Sequence, residues 1–584
     1  MATANQDHPF ADVRPDNTIE LDENVVQKLA ESNSKFVNLS SEAKASCDSH
    51  NSSLHGACRA VLGHEIRSKW VFANTLQAAT DAERAMTLRQ AIRAYPKAVM
   101  WSIFFSTAVV MEGYDLVLIG AFFAYPTFQQ KYGVLTAKGS WQIPAPWQAG
   151  LGNGARVGEI LGLLLNGIVC DRIGFRWTMI GSLILLTGLI FIPVFAQNIE
   201  TLQVAMILMG VPWGVFQTLT TAYAAEVCPV TLRGYLTTYV NMCWGFGQLI
   251  GSGVLRGLLY RQDQWSYRIP YALQWIWPIP LIVGIVFAPE SPWWLVRHGK
   301  HEAAKKALQR LHSAQTETQL DDTVSMMRHT NEIEKELESG TSYLECFKGV
   351  NLRRTEITCV AWVMQAASGA SLISYAAYFF QQAGLPTTIS FEFSMATYSV
   401  AIVGVVISWF AMTYFGRRTI YLCGLTGQFL ILLSLGFTSL SKSKGASYGS
   451  GTLLLLFTLC YDIGVGTVAY SIVAEIPSSR LRTKTIVLAR SLYNCQGIIN
   501  GVITPYMLNP AYWNWKAKAG FFWAGTSFLC LTWAFFRLPE PKGRSYAELD
   551  VLFESKVPAR KFKDATVDSF RVEQIIESTT SEKR

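Results

Sequence analysis

A chain of 584 residues with 50% apolar side chains, 18 Trp and a positive mean hydropathy is richer in apolar residues than soluble domains are. Its composition reads as a membrane protein that crosses the bilayer many times. The formal charge of +8 comes from Lys and Arg flanking apolar runs, which excludes a nucleic-acid partner.

The first 97 residues are polar, rich in Ser, Asn, Asp, Glu and Lys, and lack the charged, apolar and small-residue succession of a cleaved signal. They are expected to be a largely disordered tail with a short helix near 81 to 95. A hydrocarbon core of about 30 Å takes about 20 apolar residues per helix. Twelve segments meet that need, near 98 to 125, 147 to 170, 177 to 197, 200 to 224, 235 to 260, 266 to 288, 356 to 381, 391 to 415, 419 to 439, 450 to 474, 485 to 508 and 518 to 537. Residues 289 to 355 form a polar loop in which HEAAKKALQRL and NEIEKELES read as short amphipathic helices. The spans are thereby split into a first bundle over 98 to 288 and a second over 356 to 537, followed by a tail over 538 to 584. The fold class is all-α membrane protein with twelve transmembrane helices.

An even number of crossings leaves both termini on one side. Lys and Arg in the short loops are balanced between the sides, so the flanks decide. Arg84, Arg89, Arg93 and Lys97 precede the first span, Arg297, Lys300, Lys305, Lys306, Lys348, Arg353 and Arg354 occupy the central loop, and Lys542 and Arg544 follow the last. Both tails are expected in the cytoplasm, in a multi-pass plasma-membrane protein, and the sequons at Asn38 and Asn51 then stay unglycosylated. The eleven Cys are scattered without a CxxC pair, and the eight His do not cluster at ligand spacing, so neither disulfides nor a metal is expected.

The two halves repeat each other. GIVCDRIGFRW follows the second span and TYFGRRTIY the eighth; AEVCPVTLRG follows the fourth and AEIPSSRLRT the tenth; APESPWWLV follows the sixth and LPEPKGR the twelfth. Arg176 and Arg418 are 242 residues apart, Glu226 and Glu475 are 249, and Glu290 and Glu540 are 250. An internal duplication places the same punctuation on the same side of each half.

With these motifs the chain resembles the sugar porters of the major facilitator superfamily over roughly residues 95 to 550. Within that family EGYDLVLIGAFFAYPTFQQKYG, GVPWGVFQTLTTAYAAEVCP and RLRTKTIVLARSLYN are similar to the fungal α-glucoside (maltose-type) proton symporters. The resemblance implies two pseudo-symmetric six-helix bundles around a central cavity that opens alternately to each side. It also implies a sugar, protons and the lipid bilayer as partners, a functional monomer, and no cofactor beyond the proton gradient.

The repeated charges have a physical reading of their own. Asp171, Arg172, Arg176, Glu226 and Arg233 lie at the cytoplasmic ends of spans in the first half, and Arg417, Arg418, Glu475 and Arg482 in the second. Opposite charges there can pair across helices and hold the cytoplasmic face shut. Thr413 stands where the family has Asp, so the second latch is expected to be weaker.

A deeper set of charges is more informative. Asp115 is 17 residues into its span, about 25 Å along the axis at ~1.5 Å per residue, and Glu112 three residues before it is expected on the same face. Glu159 lies twelve residues before Asp171, and Arg490 eight beyond Arg482. An ionised carboxylate at membrane depth is disfavoured unless paired or wetted, which makes it protonatable near physiological pH. A static buried ion pair is the alternative. Sugar porters often place an Arg opposite the first-span acid from the fourth span, where this chain has Met206, so Arg490 is the expected partner.

By likeness to the family's site, sugar recognition falls to Asn241, Gln248, Gln365, Ser371, Tyr375, Asp462, Tyr470, Tyr493 and Asn494. QAASGAS in the seventh span and Asn494 in place of a ring-stacking Trp suggest a roomy cavity, as a disaccharide needs. The competing readings are a hexose or sucrose carrier, an uncoupled facilitator and a membrane sugar sensor. No nucleophile with a base at motif spacing and no phosphate loop supports an enzyme.

Overall fold

A computed structural model describes residues 90 to 565 except 91, 94, 137–138, 229, 312–319, 322, 329–330, 332–342, 442, 479–480, 543, 545–548, 550–551 and 564, and omits the side chains of 230, 231, 233–235, 237, 238 and 483. The expected N-terminal tail up to residue 89 and nearly all of NEIEKELES lie outside the described residues.

Twelve long helices run back and forth: α1 (Pro96–Phe122), α2 (Ala145–Ile173), α3 (Phe175–Phe195), α4 (Ile199–Val227), α5 (Val230–Leu258), α6 (Trp265–Phe287), α7 (Gly349–Ser374), α8 (Thr387–Tyr414), α9 (Arg417–Thr438), α10 (Lys444–Glu475), α11 (Arg482–Leu508) and α12 (Lys516–Arg537). The 27 residues of α1 reach about 40 Å, enough to cross a hydrocarbon core with tilt. Nine of the helices are apolar enough to be membrane spans by composition, and α2, α5 and α11 are not. Those three carry Arg156 and Glu159, Asn241 and Gln248, and Arg490 and Asn500, all of which turn into the interior. Outward-facing Leu164, Ile184, Ile279, Phe410 and Leu529 are 58 to 68% exposed, a surface suited to lipid and not to water.

The helices Pro292–Arg297 and His301–Leu311 lie between α6 and α7 and mark one end of the molecule, the linker side. On the opposite, far side a two-residue antiparallel ribbon pairs Val134 with Gln142 and Leu135 with Trp141, a small departure from an all-α chain.

Lipid supplies little hydrophobic drive between helices, so close packing needs small residues. Gly158 and Gly162 of α2 face Gly210 and Gly214 of α4 at matched four-residue spacing; a Cβ on Gly158 would lie 2.8 Å from the Gly210 Cα. In the second half α7 and α10 each contain a π-helical turn, Ala366–Ala370 and Asp462–Gly466, and Gly369 takes φ +102°. Such turns free carbonyls that must find donors in an apolar setting. Gln365 Nε2 donates to the Gly466 carbonyl at 2.5 Å, and Asn500 Nδ2 to the Ala366 carbonyl at 2.7 Å.

Part of the chain after α12 does not trail away. Leu549, Leu552, Phe553 and Phe562 are at most 3% exposed and join the core formed by Ile357, Ile472, Ala534 and Leu538 under the second half.

Candidate functional site

A cavity lies between the halves, walled by α1, α2, α4 and α5 on one side and α7, α8, α10 and α11 on the other. Glu112, Glu159 and Arg490 line it, as do Asn241, Gln248, Gln365, Ser371, Asp462, Tyr470 and Tyr493. Charged groups, amides and phenol rings from six helices thus converge on one space. Gln365 has a second duty there, because its amide nitrogen is held by the α10 bulge.

Three expected residues do not line the cavity. Asp115 is fully buried and its Oδ1 accepts from Gln274 of α6 at 2.8 Å, so it looks away from Glu112. The expectation of a shared face is corrected by helix geometry: three residues advance by about 300°, and the remaining 60° sends one carboxylate to α4 and the other to α6. The Tyr375 ring stacks on Phe123 with centroids 6.0 Å apart and planes at 17°, at the far-side end of the halves. Asn494 is 3% exposed, packed within the protein, with its amide nitrogen unpartnered.

At the centre stands a residue that the sequence reading passed over. Gln217 on α4 donates from Nε2 to Glu112 Oε1 at 2.6 Å, and its Oε1 accepts from Arg490 Nη2. The expected Glu112–Arg490 partnership therefore runs through an amide. Arg490 also lies over the rings of Trp362 and Tyr493, at 5.3 and 4.9 Å, which keeps a desolvated guanidinium in favourable contact. Arg156, one turn before Glu159 on α2, brings a second cation into the cavity wall. Asp462, on the α10 bulge, lines the same space.

On the far side the halves are tied together. Arg256 bonds Glu392 at 2.8 Å, Ser252 meets Ser394 at 3.1 Å, Tyr378 donates to Gln142 at 3.3 Å, and Asn509 donates to the Ile143 carbonyl at 2.9 Å. A Cβ on Gly120 would overlap the Ser374 carbonyl, so the backbones of α1 and α7 touch there.

The linker-side charges form a network in each half. Glu226 pairs with Arg297 at 2.6 Å and accepts from the Ser291 hydroxyl, so its partner comes from the helix after α6 and not from the second span. Asp171 and Arg172 are exposed; Asp171 contributes its carbonyl, which accepts from Trp294 Nε1 at 2.9 Å. Arg176 stacks over Trp177 at 5.4 Å, and the Arg233 side chain lies outside the described residues. In the second half Arg417 reaches Glu475 at 3.0 Å despite Thr413, Arg418 Nη2 donates to the Phe535 carbonyl at 2.8 Å, and Arg482 opens α11 beside them.

The duplicated Pro-Glu motifs supply caps. Glu290, just past α6, accepts from the backbone N–H groups of Phe175 and Arg176 at 3.0 and 3.2 Å, the N-terminus of α3; Glu540, just past α12, does the same for Arg417 and Arg418 at 2.8 and 3.0 Å, the N-terminus of α9. An anion at a helix N-terminus satisfies orphan donors and meets the positive end of the dipole. Burial, with the Glu226 charge as a lesser cause, pushes the Glu290 carboxyl above the ordinary range, against the lowering effect of those N–H bonds.

Comparison with known proteins agrees with this geometry. The family described as Sugar (and other) transporter matches residues 101–553. A general alpha-glucoside permease of Saccharomyces cerevisiae is 45% identical over 523 residues, covering 88% of this chain and 85% of that protein. A maltose permease of the same yeast is 44% identical over 499 residues, covering 84% and 81%. Among solved structures, a proton:xylose symporter of the major facilitator superfamily bound to 6-bromo-6-deoxy-D-glucose superposes with a TM-score of 0.64 at 20% identity, over 79% of this chain and 99% of that one. The inward-open xylose transporter of E. coli gives 0.63 at 18% identity, over 78% and 99%. At that identity the structures speak for the fold, two six-helix bundles of the facilitator type. The chain belongs to the sugar transporter family of the major facilitator superfamily.

Proposed function

We propose that this protein imports α-glucosides of the maltose type together with protons, by alternating access across the plasma membrane, with both tails and the linker side in the cytoplasm. Basic residues concentrate on the linker side, which supports that orientation. The observation that carries the proposal is the meeting of Glu112, Glu159 and Arg490 in one cavity between the halves, in a chain 44 to 45% identical to α-glucoside and maltose permeases. The amides, carboxylates and phenol rings that line this cavity suit a polyhydroxylated ligand.

In this reading Asn241, Gln248, Gln365, Ser371 and Asp462 exchange hydrogen bonds with sugar hydroxyls, and Tyr470 and Tyr493 cover apolar ring faces. A proton on Glu112 or Glu159 removes a charge from a low-dielectric space, which favours rearrangement of the halves. The bonded far side corresponds to a carrier shut to the outside, and the Glu226–Arg297 and Arg417–Glu475 pairs would help to set how far the cytoplasmic side opens. One charge moved through ~100 mV yields ~2.3 kcal/mol, roughly a fiftyfold accumulation before any pH gradient is added. The proton gradient serves as the energy source in place of a cofactor, and the monomer is the working unit. Uptake of labelled maltose, sucrose, trehalose and glucose in a transport-null host, with and without an uncoupler, tests the proposal. Uncoupler-sensitive accumulation of maltose ahead of glucose is expected; equilibration insensitive to the uncoupler would reject coupling, and a preference for glucose would reject the substrate class.

A further inference from the structure

Gln217 sits where the two halves and the proton-loading acid meet. Glu112 and Gln217 belong to the first half and Arg490 to the second. The amide has a nitrogen that only donates and an oxygen that only accepts. Toward an ionised Glu112 it must present the nitrogen, and this fixes its oxygen on Arg490, the arrangement observed. The reversed amide would set oxygen against carboxylate and N–H against guanidinium. A protonated Glu112 accepts either face, because its carbonyl can take the amide N–H and its hydroxyl can donate to the amide oxygen.

We propose that Gln217 is a positioning residue that relays the protonation state of Glu112 to Arg490, so that loading a proton in the first half loosens a tie to the second. The inference rests on the proton-coupled reading above and assigns the link between charge and motion. Among the described residues, the remaining titratable and charged groups around Glu112 are Glu159 and Arg156 from α2, Tyr461, Asp462 and Tyr470 from α10, and Tyr493 beside Arg490 on α11, while α5, α7 and α8 line the cavity with none. Among the described residues, Gln217 alone has hydrogen bonds to both Glu112 and a residue of the other half.

The test compares Gln217→Leu and Gln217→Glu with wild type in reconstituted vesicles, measuring maltose counterflow, proton-driven accumulation and pH profile. Gln217→Leu cannot relay, so counterflow should stay within about threefold of wild type while the accumulation ratio falls at least tenfold. Gln217→Glu binds Arg490 directly and repels an ionised Glu112, so its transport profile should move to higher pH by about one unit. If Gln217→Leu is not recovered folded, Gln217→Asn, one methylene too short to span both partners, should show the same split. Counterflow and accumulation that fall in proportion, with an unmoved pH profile in Gln217→Glu, would mean a packing role and overturn the relay. Wild type that moves no protons with maltose would reject the coupled reading, whereas wild-type coupling preserved in Gln217→Leu would reject the relay alone.

Discussion

Replacing Phe553 by Ala tests whether the segment after α12 is part of the second half. Phe553 is 1% exposed and meets Phe562 edge-on, with ring centroids 5.0 Å apart. Arg353 and Arg354, at the start of α7, lie over its face at 5.4 and 4.7 Å. The backbone beyond it is fastened as well: Arg353 Nη1 donates to the Val557 carbonyl at 3.0 Å, and Arg544 Nη2 to the Phe562 carbonyl at 3.0 Å. Deleting a buried Phe side chain costs about 3–5 kcal/mol, and losing cation–π contacts at this partly exposed end adds about 1 kcal/mol. A loss of about 4–6 kcal/mol in a bundle of this size corresponds to a fall in melting temperature of the order of 10 °C. Thermal unfolding of the detergent-solubilised protein, followed by size exclusion, reads it directly. The double variant with Phe562→Ala should fall short of the sum of the singles, since the rings support each other. A Phe553→Ala protein that melts with wild type would show that the segment is a passive tail.

Other outcomes follow from the site. Glu112→Gln should abolish maltose-induced alkalinisation of the medium, whereas Asp115→Asn, which keeps the Gln274 acceptor and lies off the cavity, should reduce it by no more than a few-fold; equal losses in a pH-electrode assay would contradict the division of roles. Gly214→Val should lower the melting temperature and the yield of folded protein, because a Cβ there lies 2.9 Å from the Glu159 carbonyl carbon and overpacking costs about 1–3 kcal/mol; wild-type behaviour would refute the close α2–α4 approach. Since burial raises the Glu290 carboxyl, the unfolded chain ionises before the folded one as pH rises above about 4.3, and stability from this group is lost through that rise. Relative to Glu290→Gln, wild-type melting temperature should therefore decline between acid and neutral pH; a constant difference would show that burial does not control this carboxyl.

The sequence announced the architecture because it is written in long apolar runs and repeated punctuation. α2, α5 and α11 were counted among the apolar segments although they fall short as membrane spans by composition, because the polar residues they turn into the cavity lower their hydropathy. The candidate site was legible where charged residues stood at membrane depth, as with Glu112, Glu159 and Arg490. Gln365 and Asn241 came from the family likeness alone; a buried amide without a partner is costly, and that signal would have pointed to Gln217 as well. Arg156, one turn from Glu159, offered the same signal. What periodicity could not give was azimuth: Glu112 and Asp115 differ by only 60°, and neighbouring helices decide which of them sees the cavity. The π-helical turns of α7 and α10, and the choice of Arg297 as the Glu226 partner, depend on tertiary packing with no local signature. The clasp at Phe553 was equally silent, since two aromatic residues in a polar tail do not reveal a binding surface.

The most direct measurement is proton movement during sugar entry into vesicles holding the purified protein, with no initial gradient of pH or voltage and a pH-sensitive dye inside. Added maltose should acidify the lumen in proportion to the sugar that enters, and Glu112→Gln should remove the acidification while sugar still equilibrates. Maltose entry at the wild-type rate with no change in luminal pH would contradict proton loading at the cavity acids.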